Sequence, residues 1–360
     1  MNGTCKLCVN VIKIGTAVSA LLSAVFFTLK AQAVVTPPVP MGLDESMVVE
    51  NLVFSCGADP KKPQALWKKM ADRQPDLMIW LGNNLSWEGT QHLPPQSLYH
   101  LQSLQPEFAL FRSKFPVIGT WDNSDYGQKS PRNNGQENRE GLTAKADYLN
   151  FFAIDSLKVN PRQEGIYHSF ILGPPGKRTQ IILLDEQSFR TPLLESENID
   201  FPQGPYRPDT SKQATLLGAA QGAWLAAELK KPAEFRILVS PEQFLSESHG
   251  FQSWGNFPAA KKNLRSLLAK ANIQHLLILS GNRLHGEVHR EKSPTLEIID
   301  VTAGGLNVNF PSADKRVSTR QGPLVNDNNY GWLEIRWADR QATVHLQTAG
   351  AEQTAVHWEF

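Results

Sequence analysis

Pro75-Asp76-Leu77-Met78-Ile79-Trp80-Leu81-Gly82-Asn83-Asn84 is the run that decides the fold. Its five consecutive apolar residues are too few for a helix and are bounded by turn formers. Such a run reads as a strand buried on both faces, the kind found in parallel sheets. Just upstream, Pro63 opens a helical segment with Leu66, Trp67 and Met70 on one face and Lys68, Lys69, Asp72 and Arg73 outside it. Helix and strand together make one αβ unit. Ligands of open α/β sheets bind beyond the carboxyl ends of strands, so Asn83 and Asn84 stand where chemistry is expected.

The same alternation extends outward. A strand over Met47–Ser55 runs out at Cys56-Gly57-Ala58-Asp59, and Leu98–Phe111 reads as one helix. Phe115–Thr120 is a short buried strand leading into Trp121-Asp122-Asn123-Ser124-Asp125-Tyr126-Gly127. Gln128–Glu140 is a polar loop, and Lys145–Ala153 is helical. Gly165–Leu172 and Thr179–Asp185 form a hairpin about Gly173–Gly176. Helical spacing recurs over Thr215–Leu229 and Pro258–Ala271, and strands over Phe235–Ser240, His275–Ser280 and Thr295–Ala303. Tyr330–Phe360 is a β-meander with turns near Ala338-Asp339 and Ala349-Gly350. The pattern is one α/β domain over 47–360 with a mixed sheet or two packed sheets.

Residues 1–33 read as a signal peptide. Lys6 and Lys13 precede or enter an apolar run, Ile14–Leu29, which ends before Ala31-Gln32-Ala33. Cleavage after Ala33 makes the protein periplasmic or secreted, with 34–46 as a Pro-rich linker. Removing Lys6, Lys13 and Lys30 leaves 33 basic against 35 acidic residues, a net charge of −2. That balance argues against nucleic acid as the partner, and no later segment has the length and apolarity to span a membrane. Cys5 and Cys8 leave with the leader, so Cys56 stands alone and no disulfide is expected.

At the strand exits the chain resembles the alkaline phosphatase D (PhoD-like) branch of the calcineurin-like metallophosphoesterases. The resemblance runs from about Leu52 to Trp337. Ser55-Cys56 matches the family's Ser-Cys, and Pro75-Asp76-Leu77 its Pro-Asp-Leu. Leu81-Gly82-Asn83-Asn84 matches Leu-Gly-Asp-Asn, and Trp121–Gly127 matches Trp-Asp-Asp-His-Asp-Tyr-Gly. Leu184–Arg190 matches Leu-Asp-x-Arg-x-x-Arg, and Leu217-Gly218 through Gln221 to Trp224-Leu225 matches Leu-Gly-x-x-Gln-x-x-Trp-Leu. Trp254–Pro258 is similar to Trp-x-x-Phe-Pro, and Ser280–Leu284 with Glu287 to Ser-Gly-Asp-x-His with a later Glu. The resemblance implies an αββα sandwich of two mixed β-sheets flanked by helices. It also implies hydrolysis of phosphate esters by a metal cluster that polarises the ester and ionises a water.

That chemistry needs anionic oxygens and imidazoles, and position by position they are replaced. The family's aspartates are Asn83 and Asn282, its histidines Ser124 and Leu284, and an aspartate is Asn123, a residue type that also ligates in the wider superfamily. Asn-Asp after the Tyr-Gly turn is Lys129-Ser130, and Gln187 replaces an arginine. Alone, Asn83 and Asn84 are plain turn formers; beside the other motifs they read as relict ligand positions. Two functions remain open. One is an exported phosphatase-fold protein, catalytically impaired or inactive, expected to need no metal. It binds an anionic ligand such as a phosphate-bearing small molecule at Lys129, Arg190 and Arg283, or a partner protein. The other is a working phosphomonoesterase or phosphodiesterase with one divalent metal ion, for which Asp59, Asp122, Asp125 and His285 are the candidate ligands. Those aspartates also read as capping and loop residues, His285 as a residue on the far face of its strand, and Cys56 as inert packing.

Overall fold

The computed structural model describes residues 42–85, 95–126, 138–152, 163–197, 204–247, 249–310 and 317–360. Residues 1–41, which hold the expected signal peptide and most of the expected linker, and residues 127–137, with Lys129, lie outside the described residues. Among those described, no helix is long and apolar enough to cross a membrane.

The first sheet runs through β1 (Asn51–Ser55), β2 (Leu77–Leu81) and β3 (Val117–Thr120), all parallel. The second adds β4 (His168–Leu172) and β5 (Thr179–Leu183), which form the expected hairpin. β6 (Leu194–Glu195) and β7 (Tyr206–Arg207) pair separately. Then β8 (Phe235–Val239), β9 (His275–Ser280), β10 (Gly286–Lys292), β11 (Glu297–Thr302) and β12 (Arg320–Val325) complete the second sheet. β13 (Asn329–Arg336), β14 (Gln341–Thr348) and β15 (Glu352–Glu359) return to the first as an antiparallel meander. The orders are β15-β14-β13-β1-β2-β3 and β12-β10-β11-β9-β8-β5-β4. Within the second sheet β5, β8, β9 and β11 are parallel, so both sheets are mixed.

β2 shows why its sequence is apolar throughout. Leu77, Ile79 and Leu81 enter the core between the sheets, meeting Leu183, Val239, Leu279 and Val301 of the second. Met78 and Trp80 point the other way, into the layer formed with α1 (Leu66–Ala71), α2 (Pro95–Ser103), α3 (Pro106–Arg112) and α5 (Asn138–Phe151). There Trp80 meets Trp67 and Phe108 edge-on, each with centroids 5.3 Å apart. The second sheet repeats the scheme, with Ile182, Leu238 and Ile278 facing α6 (Gly218–Glu228) and α7 (Pro258–Lys270). Helices, sheet, sheet and helices make the expected αββα sandwich.

Several expected boundaries move for local reasons. Leu98–Phe111 is two helices rather than one, because Pro106 cannot donate the backbone bond that would carry the first helix onward and opens the second instead. The stretch from Asn138 belongs to α5 rather than to the preceding loop. α4 (Asn123–Tyr126) is a single turn at the exit of β3. Four strands, β6, β7, β10 and β12, have no counterpart in the sequence reading.

Candidate functional site

The parallel strands of both sheets end along one edge, and their exits carry the motifs. Gly82 takes φ +89°, and a Cβ there would lie 2.7 Å from the Cβ of Asp122, so only glycine lets the β2 and β3 exits approach. Asn83 and Asn282 follow with φ of +44° and +57°, the left-handed region that Asn tolerates better than most residues. Behind them, Gln221 of α6 clamps the β5 exit by accepting from the Asp185 amide (2.9 Å) and donating to its carbonyl (2.7 Å). Asp185 then receives the amides of Gln187 and Ser188, which fixes the turn that presents Gln187.

Several of the positions expected to be relict ligand sites bond to one another or to Asp122. Asp122 is fully buried and its oxygens take three donors: the Asn123 amide (2.7 Å), Gln187 Nε2 (2.8 Å) and Asn282 Nδ2 (2.8 Å). Ser124 donates through both its hydroxyl and its amide to Asn83 Oδ1. Asn83 Nδ2 reaches toward the Asn282 carbonyl at 3.5 Å. Gln252, from the loop after β8, accepts from Asn123 Nδ2 (3.3 Å) and Asn282 Nδ2 (3.2 Å). Leu284 sits at φ +53°, a conformation that costs a leucine on the order of 1–2 kcal/mol. Its side chain packs against Gly57 and the core between the sheets. The strand exits thus hold a network of carboxamides and one carboxylate with an apolar plug beneath it.

The other candidates are dispersed. Asp59 takes the Lys61 amide at 2.9 Å and pairs with Lys62 at 3.3 Å, as a loop-capping residue does. Asp125 accepts the amides of Asn84 (3.1 Å) and Asp122 (3.0 Å), and burial pushes its carboxyl up to about 8. Burial also raises Asp122. His285 is turned to Glu287 (3.4 Å) in a separate buried cluster with His289, Gln243 and Arg320. Burial lowers His285 from its usual value, with Glu287 opposing the shift. Burial opposes the Glu287 charge, but His285 and His289 outweigh it and keep that carboxyl well below its usual range. Arg190 Nε donates to Gln187 Oε1 (3.2 Å), which places it one amide away from Asp122. Arg283 stacks on Phe251 with 3.7 Å to the ring centre, and burial lowers it to about 10. Cys56 is wholly buried against Gly281 and Gly304, and burial pushes its thiol up to about 12.

These donors do not fit a metal cluster. Asn282 aims an N–H at Asp122 where a bridging cation would require lone pairs from both. Among the described residues, no three His, Cys, Asp or Glu side chains are grouped so as to hold a metal ion. The bridging roles of Gln187, Gln252 and Gln243 were not read from the sequence; Gln187 at the family's arginine position was the one available signal.

A family model described as PhoD-like phosphatase matches residues 51–313. The structure is similar to one titled "Structure of PhoD", with a TM-score of 0.64 and 16% identity over 90% of this chain and 72% of that one. It is also similar to a dimetal phosphatase from Danio rerio, at 0.52 and 10% identity over 86% of this chain and 99% of the other. No curated protein matches the chain in sequence.

Proposed function

This chain belongs to the PhoD-like phosphatase family, and from that premise we propose that it is a member with impaired or lost metal-dependent hydrolysis. It acts by binding, exported to the periplasm or medium, and its ligand is an anionic small molecule or a partner protein. The observation that supports this reading is the Asn282–Asp122 hydrogen bond at 2.8 Å. Asn282, at a position where the family resemblance implies a metal ligand, and Asp122, a candidate ligand, are bonded directly, donor to acceptor. A cation between them would have to break that bond and gain only one charge in return.

Anion binding is the part of the proposal that the basic residues support. Arg190 and Arg283 follow the β5 and β9 exits of the second sheet beside the carboxamide network, and Lys129 follows the Tyr126-Gly127 turn in sequence. Asn and Gln amides supply neutral N–H donors between them. Calorimetric titration with inorganic phosphate and with an aryl phosphate, both in the presence of chelator, tests the reading. Saturable binding that is lost in Arg190→Ala and Arg283→Ala is expected. Turnover of the aryl phosphate on adding a divalent metal, with no metal-free binding, would overturn it.

A further inference from the structure

Two glutamates outside the family's motif positions are stacked beneath the site. Glu186 leaves β5, Glu242 leaves β8, and both are wholly buried. The Glu186 oxygens are occupied by the Ser240 hydroxyl (2.5 Å), the Trp254 indole N–H (3.1 Å) and the Glu242 amide (2.8 Å). Neither side-chain oxygen of Glu242 has a hydrogen-bond partner among the described residues. The charged groups that face it are Glu186 beside it, Asp122 from the β3 exit and Arg190 beyond β5, with Tyr206 of β7 also close. Burial drives both acids toward the neutral form, with Arg190 opposing it at Glu242; Glu242 rises to about 8 and Glu186 well above its usual range.

The loop that begins at Glu242 also covers the site. Gln243 receives the Trp254 amide on its carbonyl (3.0 Å) and the His249 ring on its side chain (2.8 Å), which closes the loop on itself. Between those anchors, Gln252 bridges Asn123 of the first sheet and Asn282 of the second. An acid with no donor around it tolerates this enclosure only while protonated.

We propose that Glu186 and Glu242 form a proton-held latch on the loop formed by 241–247 and 249–254. With both acids neutral, the loop stays closed and Gln252 ties the two sheet exits together. In mildly alkaline solution one acid releases its proton to solvent, an unsolvated charge is left beside the second carboxyl, and the loop lifts off the strand exits. This rests on the reading that the strand exits are the binding surface, and the test uses ligand-free protein so that the two fail separately.

Hydrogen exchange in peptides covering 241–257 is measured at pH 6.5 and 9.0 in the parent protein and in Glu242→Gln. Comparing the two proteins at one pH cancels the intrinsic pH dependence of exchange. The parent-to-variant ratio is expected to rise at least ~10-fold between the two pH values in these peptides and to stay flat in β13 and β14. That threshold is the fold-change of ~1.4 kcal/mol. If Glu242→Gln does not fold, Glu242→Met, which likewise has no proton to release, takes its place with the same expectation. A flat ratio over 241–257, or an equal rise in β13 and β14, overturns the latch and leaves anion binding standing. Absence of anion binding with the local rise intact would remove the binding reading alone.

Discussion

Asn282 Nδ2 donates to Asp122 Oδ2 across 2.8 Å, joining the β9 exit of one sheet to the β3 exit of the other. Through that bond Asp122 meets a neutral amide rather than a second charge. Asn282→Asp sets two carboxylates against each other at that distance in a buried site. In chelator it should cost ~2–4 kcal/mol in urea unfolding, and added manganese or zinc should recover part of the loss. Asn282→Ala should cost ~1–3 kcal/mol with no metal recovery. Parent-like stability of Asn282→Asp in chelator would show that the two groups do not meet.

Reversion of the whole set is the stronger form. Asn83→Asp, Ser124→His, Asn282→Asp and Leu284→His together are expected to restore binding of a divalent metal, measured by calorimetry. A folded quadruple variant that takes up none would mean that these loops do not correspond to the family's ligand loops.

Stability should fall toward alkaline pH. Glu242 and Asp125 each rise to about 8 in the folded chain through burial. Below about pH 4 both states are protonated and the full stability is present. Above that the unfolded chain ionises first and is favoured progressively, until the folded groups also ionise. The loss therefore accumulates between about pH 4 and pH 8. Urea midpoints across that range check it, and Glu242→Gln should flatten the profile. A midpoint that rises with pH would contradict the assignment.

Asp125 is read as a backbone clamp. Asp125→Ala leaves the amides of Asn84 and Asp122 without their acceptor in a buried loop. A loss of ~2–4 kcal/mol is expected, with Asp125→Asn losing less because a carbonyl oxygen still accepts. Equal losses in the two variants would place its role in the charge.

Cys56 should be inert. A Cβ at Gly304 would lie 2.1 Å from its sulfur, so the thiol is enclosed by backbone. With burial pushing it up to about 12, native protein should give no reaction with a thiol reagent at pH 8, and one equivalent after denaturation in protein lacking Cys5 and Cys8. Rapid labelling of folded protein would reopen a chemical role.

The parts of the fold readable from sequence were those written in apolar periodicity. β2 has core on both faces, so its run is unbroken, and β9 follows the same rule; α7 shows instead the one-sided stripe of an amphipathic helix, with Leu264 and Leu268 buried. β10 escaped because its sequence, Gly286–Lys292, is mostly charged. It is buried by polar contacts instead, Glu287 with His289 at 3.0 Å and the Arg290–Glu297 ion pair at 2.5 Å. β12 contains Gly322 and Pro323, both poor strand formers, and lies at the sheet edge where they are tolerated.

The site was legible as positions and not as bonds. Motif order located Asn83, Ser124 and Asn282 at one edge, and the structure brings them together around Asp122. Nothing in spacing alone distinguishes a ligand from a loop cap, and Asp59 and His285 bond within their own loops. Glu186 and Glu242 went unread, although an acid directly after an apolar strand exit, as in Leu184-Asp185-Glu186, is a usable signal for a buried charge.

Metal content and turnover measured on the same preparation test the central claim most directly. After incubation with manganese, zinc, iron and calcium and removal of excess, elemental analysis should find no stoichiometric metal. Hydrolysis of an aryl phosphate and of a bis-aryl phosphate diester should stay at the level of a heat-denatured control. One or two equivalents of metal, with turnover abolished by chelator, would contradict the account.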